Sequence, residues 1–483
     1  MIDCSSGSLW RKWDLHVHTP YSILNNQFGD SKNEKTWDSY VYNLFTKAIK
    51  NGICAIGLTD YFSIKGYLKV KEILSDKNRI LNIFHSEIRD DSSYLEKIMN
   101  ILLLPNIEFR SDTCINTGKK DSKLQFHVIF SDKIDPNLIL GSFLNQLSIE
   151  TAIGNNTAKY SLSEESLEAF GKECLKNVHE LSGSALFNGY KMCFVSFDKV
   201  NNLLRENLLF KDKYLIGAVE EDATEINWAS QASPIRKKLF SLSDFVFCSN
   251  PKSIKWYSSD ACVEKLDNKK PCLWGSDSHS IEDLFVTSLN RQCWIKCDPT
   301  FKGLLESTYS SSFLNRIYIG DEPVELQESN SRKSYTIKGV DICNNGVLPK
   351  EKWFDAHLKI NPFMCTIIGN KGSGKSALTD IISKCCNSNA MDCASFLNVD
   401  RFNKKTTNYG SHYRAVVSFA DTNTLKIDSL DCSKDKNLPQ YAEYLPQNYI
   451  EKVCNDIGTS FQDEVNKVIF SFDAKTSSFF TEL

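Results

Sequence analysis

Long apolar stretches are missing from this sequence. No uncharged hydrophobic run reaches the roughly 18 residues that a membrane-spanning helix needs, so none is expected. The start, Met1-Ile-Asp-Cys-Ser-Ser-Gly-Ser8, has no basic segment followed by an apolar one, so no secretory leader is expected either. An excess of one charge is also missing. The 57 Lys and Arg residues stand against 60 Asp and Glu, for a net charge of -3. A nucleic-acid partner would therefore have to be met by a local patch rather than by a basic surface. Paired cysteine modules are absent too. The 17 cysteines are scattered, and Cys293 and Cys297 have no companion pair at zinc-finger spacing. Several cysteines (Cys54, Cys193, Cys248, Cys365) lie in apolar stretches. This usage predicts buried free thiols in a reducing, cytoplasmic compartment.

Histidine is scarce, with eight in the chain. Four of them, His16, His18, His127 and His279, fall in or at the ends of expected strands. In Trp13-Asp14-Leu15-His16-Val17-His18-Thr19 the two imidazoles are two residues apart, so an extended strand presents both on one side. Imidazoles presented together suit a divalent ion of the zinc, manganese or iron type. An isolated pair of this kind more often marks satisfied polar groups, so the reading depends on further ligands. They follow in order: Asp60 after the apolar run Ile53–Thr59, Glu108 in Asn106–Arg110, His127 in Leu124–Phe130, and Asp277 and His279 after Pro271–Gly275.

At 483 residues, two domains of unequal size are expected. Helical periodicity predicts helices over 36–50, with Gly52 as the C-terminal cap, over 67–74, and over 93–103, ending at Pro105. The pattern loosens over 133–190, an elaboration in which 154–157 reads as a loop and Ser161 as the start of a helix with Glu164 as its capping partner. Strands are expected again at Met192–Phe197, Tyr214–Val219, Asp244–Cys248 and Pro271–Gly275. Seven or eight short strands largely separated by helices predict an α/β barrel, in which reactive residues gather at the carboxyl ends of the strands. A polar, aperiodic stretch over 326–335 reads as the linker between a domain spanning 1–325 and one spanning 336–483.

In the second domain, an expected strand over Pro362–Ile368 leads into Gly369-Asn370-Lys371-Gly372-Ser373-Gly374-Lys375-Ser376 and then a helix. This G-x-x-x-x-G-K-S pattern is a P-loop. Its backbone N–H groups would converge on phosphate oxygens, Lys375 would neutralise the outer phosphates, and Ser376 would hold Mg²⁺. ATP with Mg is the expected ligand.

The motifs His16-Val-His18-Thr19, Thr59-Asp60, Glu108, His127 and Gly275-Ser276-Asp277-Ser278-His279 resemble, in order, those of the PHP (polymerase and histidinol phosphatase) superfamily. The resemblance implies a distorted (β/α)₇ barrel and a two- or three-metal site that hydrolyses phosphate esters. It also implies that His16, His18, Glu108 and Asp277 surround one ion, and that Glu108 bridges to a second held by His127. Asp60 and His279 would stand near the remaining position, and Asp60, Arg110 and His279 are the expected catalytic groups. The sequence departs from the pattern at Tyr61, where the family has histidine, at Leu24 and Asn25, and in lacking a His-Pro segment, so one or two ions are expected. The later part resembles the N-terminal lobe of an ABC/SMC-type ATPase, with Gln447 as its Q-loop residue contacting Mg²⁺ and the attacking water. The combination resembles PHP–ATPase fusions, including Ppl-type anti-phage defence proteins and TrlF-like proteins. It implies a phosphoesterase acting on nucleic acid (DNA first), controlled by ATP and assembled as a homo-oligomer. The alternatives are a non-catalytic barrel in an ATP-dependent scaffold and a phosphatase or nucleotidase for small substrates.

Overall fold

The computed structural model describes residues 6–116, 121–153, 156–220, 233–287, 289, 291–345, 355–455, 461–462 and 466. The chain divides into two compact units, with the change at Val324 and Glu325. Residues 324–331, which span much of the expected linker, are helical.

The first unit is built on a nine-stranded mixed sheet. Its strands are β1 (Trp10–His18), β2 (Ile53–Tyr61), β3 (Leu102–Asn116), β4 (Asp121–Phe130), β7 (Tyr214–Val219), β8 (Phe245–Phe247), β9 (Cys272–Leu273), β10 (Gln292–Lys296) and β11 (Ile317–Gly320). The spatial order is β11-β10-β1-β2-β3-β4-β7-β8-β9. The carboxyl half of β1 also bonds to the segment after β9: the His18 N–H donates to Ser278 O at 3.0 Å, and the Asp277 N–H donates to His16 O at 2.9 Å. These bonds bring the end of the sheet back to β1, so seven strands run almost fully round a barrel, and β10 and β11 extend the sheet alongside the amino half of β1. The circuit departs from simple β/α alternation at one place. Strand β4 runs antiparallel to both β3 and β7.

Local signals explain much of this. Strand β1 alternates in type, and the helix Glu34–Asn51 buries Trp37, Val41, Leu44, Phe45 and Ala48 on one face. Gly52 ends that helix with φ 70°, the left-handed geometry glycine adopts without a Cβ penalty. Three expectations are corrected. The helix before β3 covers only Tyr94–Met99, and Leu102 to Pro105 belong to β3. Pro105 cannot donate to a ladder, but Leu102–Leu104 before it pair with β2, and that pairing carries the strand through. Met192–Phe197 is not a strand. Ser196 caps a helix, Phe197–Glu206, by accepting from Lys199 N–H, and only Val195 keeps a bridge, to Ser111. In the elaboration, β5 (Ser148–Ile153) pairs with β6 (Asn156–Ser161), so Ser161 ends a strand. The helix Glu164–Asn177 is instead capped by Ser163, and Gly154 and Asn155 lie outside the described residues.

The second unit carries a four-stranded antiparallel sheet in the order β13-β12-β14-β15, from β12 (Ile337–Asn344), β13 (Ala356–Lys359), β14 (Tyr413–Phe419) and β15 (Thr424–Ile427). Its core joins Val340, Ile342, Ala415 and Val417 to Ile381 and Cys385 of the helix Lys375–Cys385. The strand expected over Pro362–Ile368 does not form. A P-loop strand normally has ladder partners on both edges, and no described strand pairs with this one; Met364 and Ile368 are exposed. Cys365, expected to be buried, is exposed as well, and every cysteine among the described residues is a free thiol. No described helix is long and apolar enough to cross a membrane.

Candidate metal centre

Parity along β1 puts Asp14, His16 and His18 on one side of the strand, and the structure uses all three. His16 Nε2 and His18 Nε2 approach to 3.1 Å. Glu108 Oε2 lies 3.5 Å from the first and 3.3 Å from the second, and Asp277 Oδ1 lies 3.1 Å and 3.3 Å from them. Donors bound to one ion at about 2.0–2.2 Å stand about 2.9–3.5 Å from one another, so this spacing is that of a ligand shell. Two overlapping triads result, His16–His18–Asp277 and His16–Glu108–His127.

The far nitrogens of three imidazoles are already engaged. His18 Nδ1 bonds to Ser22 Oγ at 2.7 Å, His127 Nδ1 to Asn106 Oδ1 at 3.2 Å, and His279 Nδ1 to the Asn25 carbonyl at 2.8 Å. Fixing Nδ1 selects the tautomer and leaves Nε2 free to ligate. His127 makes the point most directly. Its Nε2 is buried and has no hydrogen-bond partner among the described residues, an arrangement that is costly unless something binds there. The donor set therefore fits a divalent ion of the zinc, manganese or iron class.

The charges agree with this geometry. Burial disfavours the His18 imidazolium, but hydrogen bonds to Asp277 and Glu108 outweigh it and raise its pKa to about 9. Burial, reinforced by positive charge at His16, pushes His127 down to about 3. Burial would raise Glu108, yet the bonds from His16 and His18 hold it below the usual carboxylate range. Desolvation acts upward on Asp277 in the same way and is overcome by His16, His18 and His279. Asp277 is the open member of the group, with a side chain 59% exposed and a left-handed φ of 52°.

The expected residues do not all converge. His279 does: its ring stacks on His18 at 4.0 Å and its Nε2 lies 3.3 Å from Asp277 Oδ1. Asp60 does not join the cluster. Its Oδ1 accepts from Thr19 Oγ1 at 2.6 Å and Ser22 Oγ at 3.2 Å, and its Oδ2 accepts from the Gly66 N–H at 2.7 Å. Burial lifts its pKa to about 6. It thus holds Ser22, which holds His18. Arg110 lies beside the cluster, its guanidinium 5.6 Å from the Tyr61 ring centre, and Tyr61 in turn packs on His18 at 5.1 Å.

Four residues were not foreseen. Asp14 accepts from the Ser276 and His16 N–H groups and so joins β1 to the ligand-bearing segment. Asn106 donates to Leu15 O and Thr59 Oγ1, each at 2.9 Å, while accepting from His127. Ser22 and the Asn25 carbonyl complete the outer ring. Parity could have indicated Asp14 and Asn106, each two residues before a ligand in its strand. Gly275 leaves room for the approach, since a Cβ there would stand 2.5 Å from His16 Cβ and 2.7 Å from His16 N.

In the second unit, Gly372 and Gly374 have φ of 85° and 90°, and Lys375 Nζ donates to Gly369 O at 2.7 Å and Asn370 O at 2.9 Å. Ser376 lies in the first turn of the helix Lys375–Cys385. Gln447 begins the helix Gln447–Asn455 and donates to Glu451 at 2.8 Å.

Fold and site together define an α/β barrel protein with a candidate divalent-metal centre. No family model and no curated protein matches the chain. A solved structure similar to part of it is that of a candidate metal-dependent phosphoesterase from Bifidobacterium adolescentis. The two are 11% identical with a TM-score of 0.28, over 56% of this chain and 88% of that one. So distant a likeness carries no weight for function, which rests on the site itself.

Proposed function

We propose that the barrel is a PHP-type, metal-dependent phosphoesterase acting on phosphodiesters, DNA first among them. The observation that carries this reading is the ligand-shell spacing of His16, His18, Glu108 and Asp277, with the orphaned Nε2 of His127 beside them. A divalent ion would supply Lewis acidity at this site. His16, His18, Glu108 and Asp277 would hold it, and His127 with Glu108 would be available to a second ion. Arg110, anchored over Tyr61, offers positive charge to phosphoryl oxygens as negative charge builds on them. His279, held at Nδ1 by the Asn25 carbonyl, turns Nε2 to the open rim beside Asp277, where it would accept a proton from an attacking water. Asp60 acts as a positioning residue through Ser22.

The loop 369–376 is read as a nucleotide site for ATP with Mg, on its two left-handed glycines, its lysine and its position at a helix start. Gln447 is assigned to the same site through the ABC/SMC resemblance, and ATP is proposed to control access or assembly of a homo-oligomer. A place in anti-phage defence follows from that resemblance alone.

The test is Mn²⁺-dependent cleavage of linear and single-stranded DNA by the purified chain beside His16→Ala/His18→Ala, with bound metal measured in both. Removing two ligands should exceed the roughly 10–100-fold loss typical of an outer-ring change and abolish both metal and cleavage. A metal-loaded protein that hydrolyses small phosphomonoesters and leaves DNA intact would move the assignment to the small-substrate phosphatase. A folded protein that takes up no metal would sink it and leave the scaffold.

A further inference from the structure

The sheet of the second unit carries a separate set of ligating side chains. Along β12, Val340 and Ile342 are buried in the core, so Asp341 and Cys343 project from the opposite face. The ladder sets His357 of β13 opposite Asp341. Asp355, just before β13, comes beside Cys343. One ligand atom each from Cys343, Asp355 and His357 lies within 4.8 Å of the others. The fourth corner is not idle, because Asp341 Oδ1 takes His357 Nδ1 at 2.7 Å and leaves Nε2 for another partner.

We propose that Cys343, Asp355 and His357 form a zinc-class site, with Asp341 as the carboxylate that orients His357. The donor types select the metal. A thiolate beside an imidazole disfavours Mg²⁺ and Ca²⁺ and suits Zn²⁺ or Co²⁺. Three protein ligands leave the fourth tetrahedral position to water or to a group from outside. Ligands on one tetrahedral ion stand about 3.3–3.6 Å apart, so the side chains close by about an ångström. That is within reach of rotamer changes, since Cys343 is half-buried and Asp355 and His357 are exposed. The ion would pin β13, an edge strand of four residues with no side chain in the core, to β12.

The bland alternative is a weakly stabilising surface Asp–His pair with a chance cysteine beside it. The two separate in a Co²⁺ titration of the full chain carrying His16→Ala/His18→Ala, which empties the barrel centre. The expected result is a thiolate-to-cobalt charge-transfer band that Zn²⁺ displaces. Cys343→Ser should abolish it, and Cys343→His should keep binding without the band. In the unsubstituted chain, Zn²⁺ should slow alkylation of Cys343, mapped by mass spectrometry, by about tenfold or more. A missing band, a band that survives Cys343→Ser, or alkylation unaffected by Zn²⁺ would each overturn the site.

Discussion

The barrel centre and the loop 369–376, the proposed nucleotide site, present two contrasting local architectures. At the barrel centre, His18, His127 and His279 each have Nδ1 held by a neighbour, and the ligands stand on paired strands or on a segment bonded to β1. In the second unit, the segment entering the P-loop has no ladder, and Lys375 folds onto carbonyls of its own loop. A rigid sheet fixes donors to within a fraction of an ångström, whereas an unsheeted loop leaves the ligand to complete the order. The barrel should therefore bind its ion with little rearrangement, and nucleotide binding should carry an ordering cost.

The largest effect that sharpens this contrast is pH. With its pKa near 9, His18 must release a proton to ligate, so barrel metal affinity should rise about tenfold from pH 7 to 8 and about fiftyfold from pH 7 to 9. In the metal-free chain the sign reverses. A raised folded pKa adds stability that is complete below about pH 6.5 and disappears as pH rises through about 9. Metal titrations and thermal melts across this range would show both trends, and a flat affinity profile would contradict the His18 assignment. Next in size, Asn106→Ala frees the His127 ring and should weaken metal binding about 10–100-fold without unfolding the barrel. If the affinity were unchanged, His127 would not be a ligand. Smallest, Lys375→Ala should weaken ATP binding about tenfold while leaving barrel metal content at the level of the unsubstituted chain. Equal ATP affinity in calorimetry would remove the P-loop from the account.

The sequence revealed the ligands better than what supports them. His16 and His18 were legible because strand parity puts both on one side, and Glu108 and Asp277 were joined to them by the resemblance of their motifs to a known family. The helix over 36–50 and its Gly52 cap were legible because periodicity and left-handed glycine are local signals. The reversal of β4, the return of 276–278 to β1, and the bonds of Asp14 to Ser276, Ser22 to Asp60 and Asn25 to His279 depend on partners far along the chain. The same limit explains Met192–Phe197 and Pro362–Ile368. Short apolar runs fit a strand in either case, but a strand also needs a neighbour, and only tertiary structure supplies it.

The bond between β1 and the segment after β9 also sets an order of events in time. About 260 residues separate Val17 from Ser278, so contacts that close the barrel are among the most distant in the chain, and such contacts form slowly. At about 5–20 residues per second, a ribosome needs about 13–50 seconds to make that stretch. Throughout that interval His16 and His18 exist without Asp277, and the emerging β1 has an open edge. The barrel centre therefore cannot mature during synthesis of its own amino-terminal half, and a nascent chain stalled before residue 277 would be metal-poor and prone to pair with another unfinished copy.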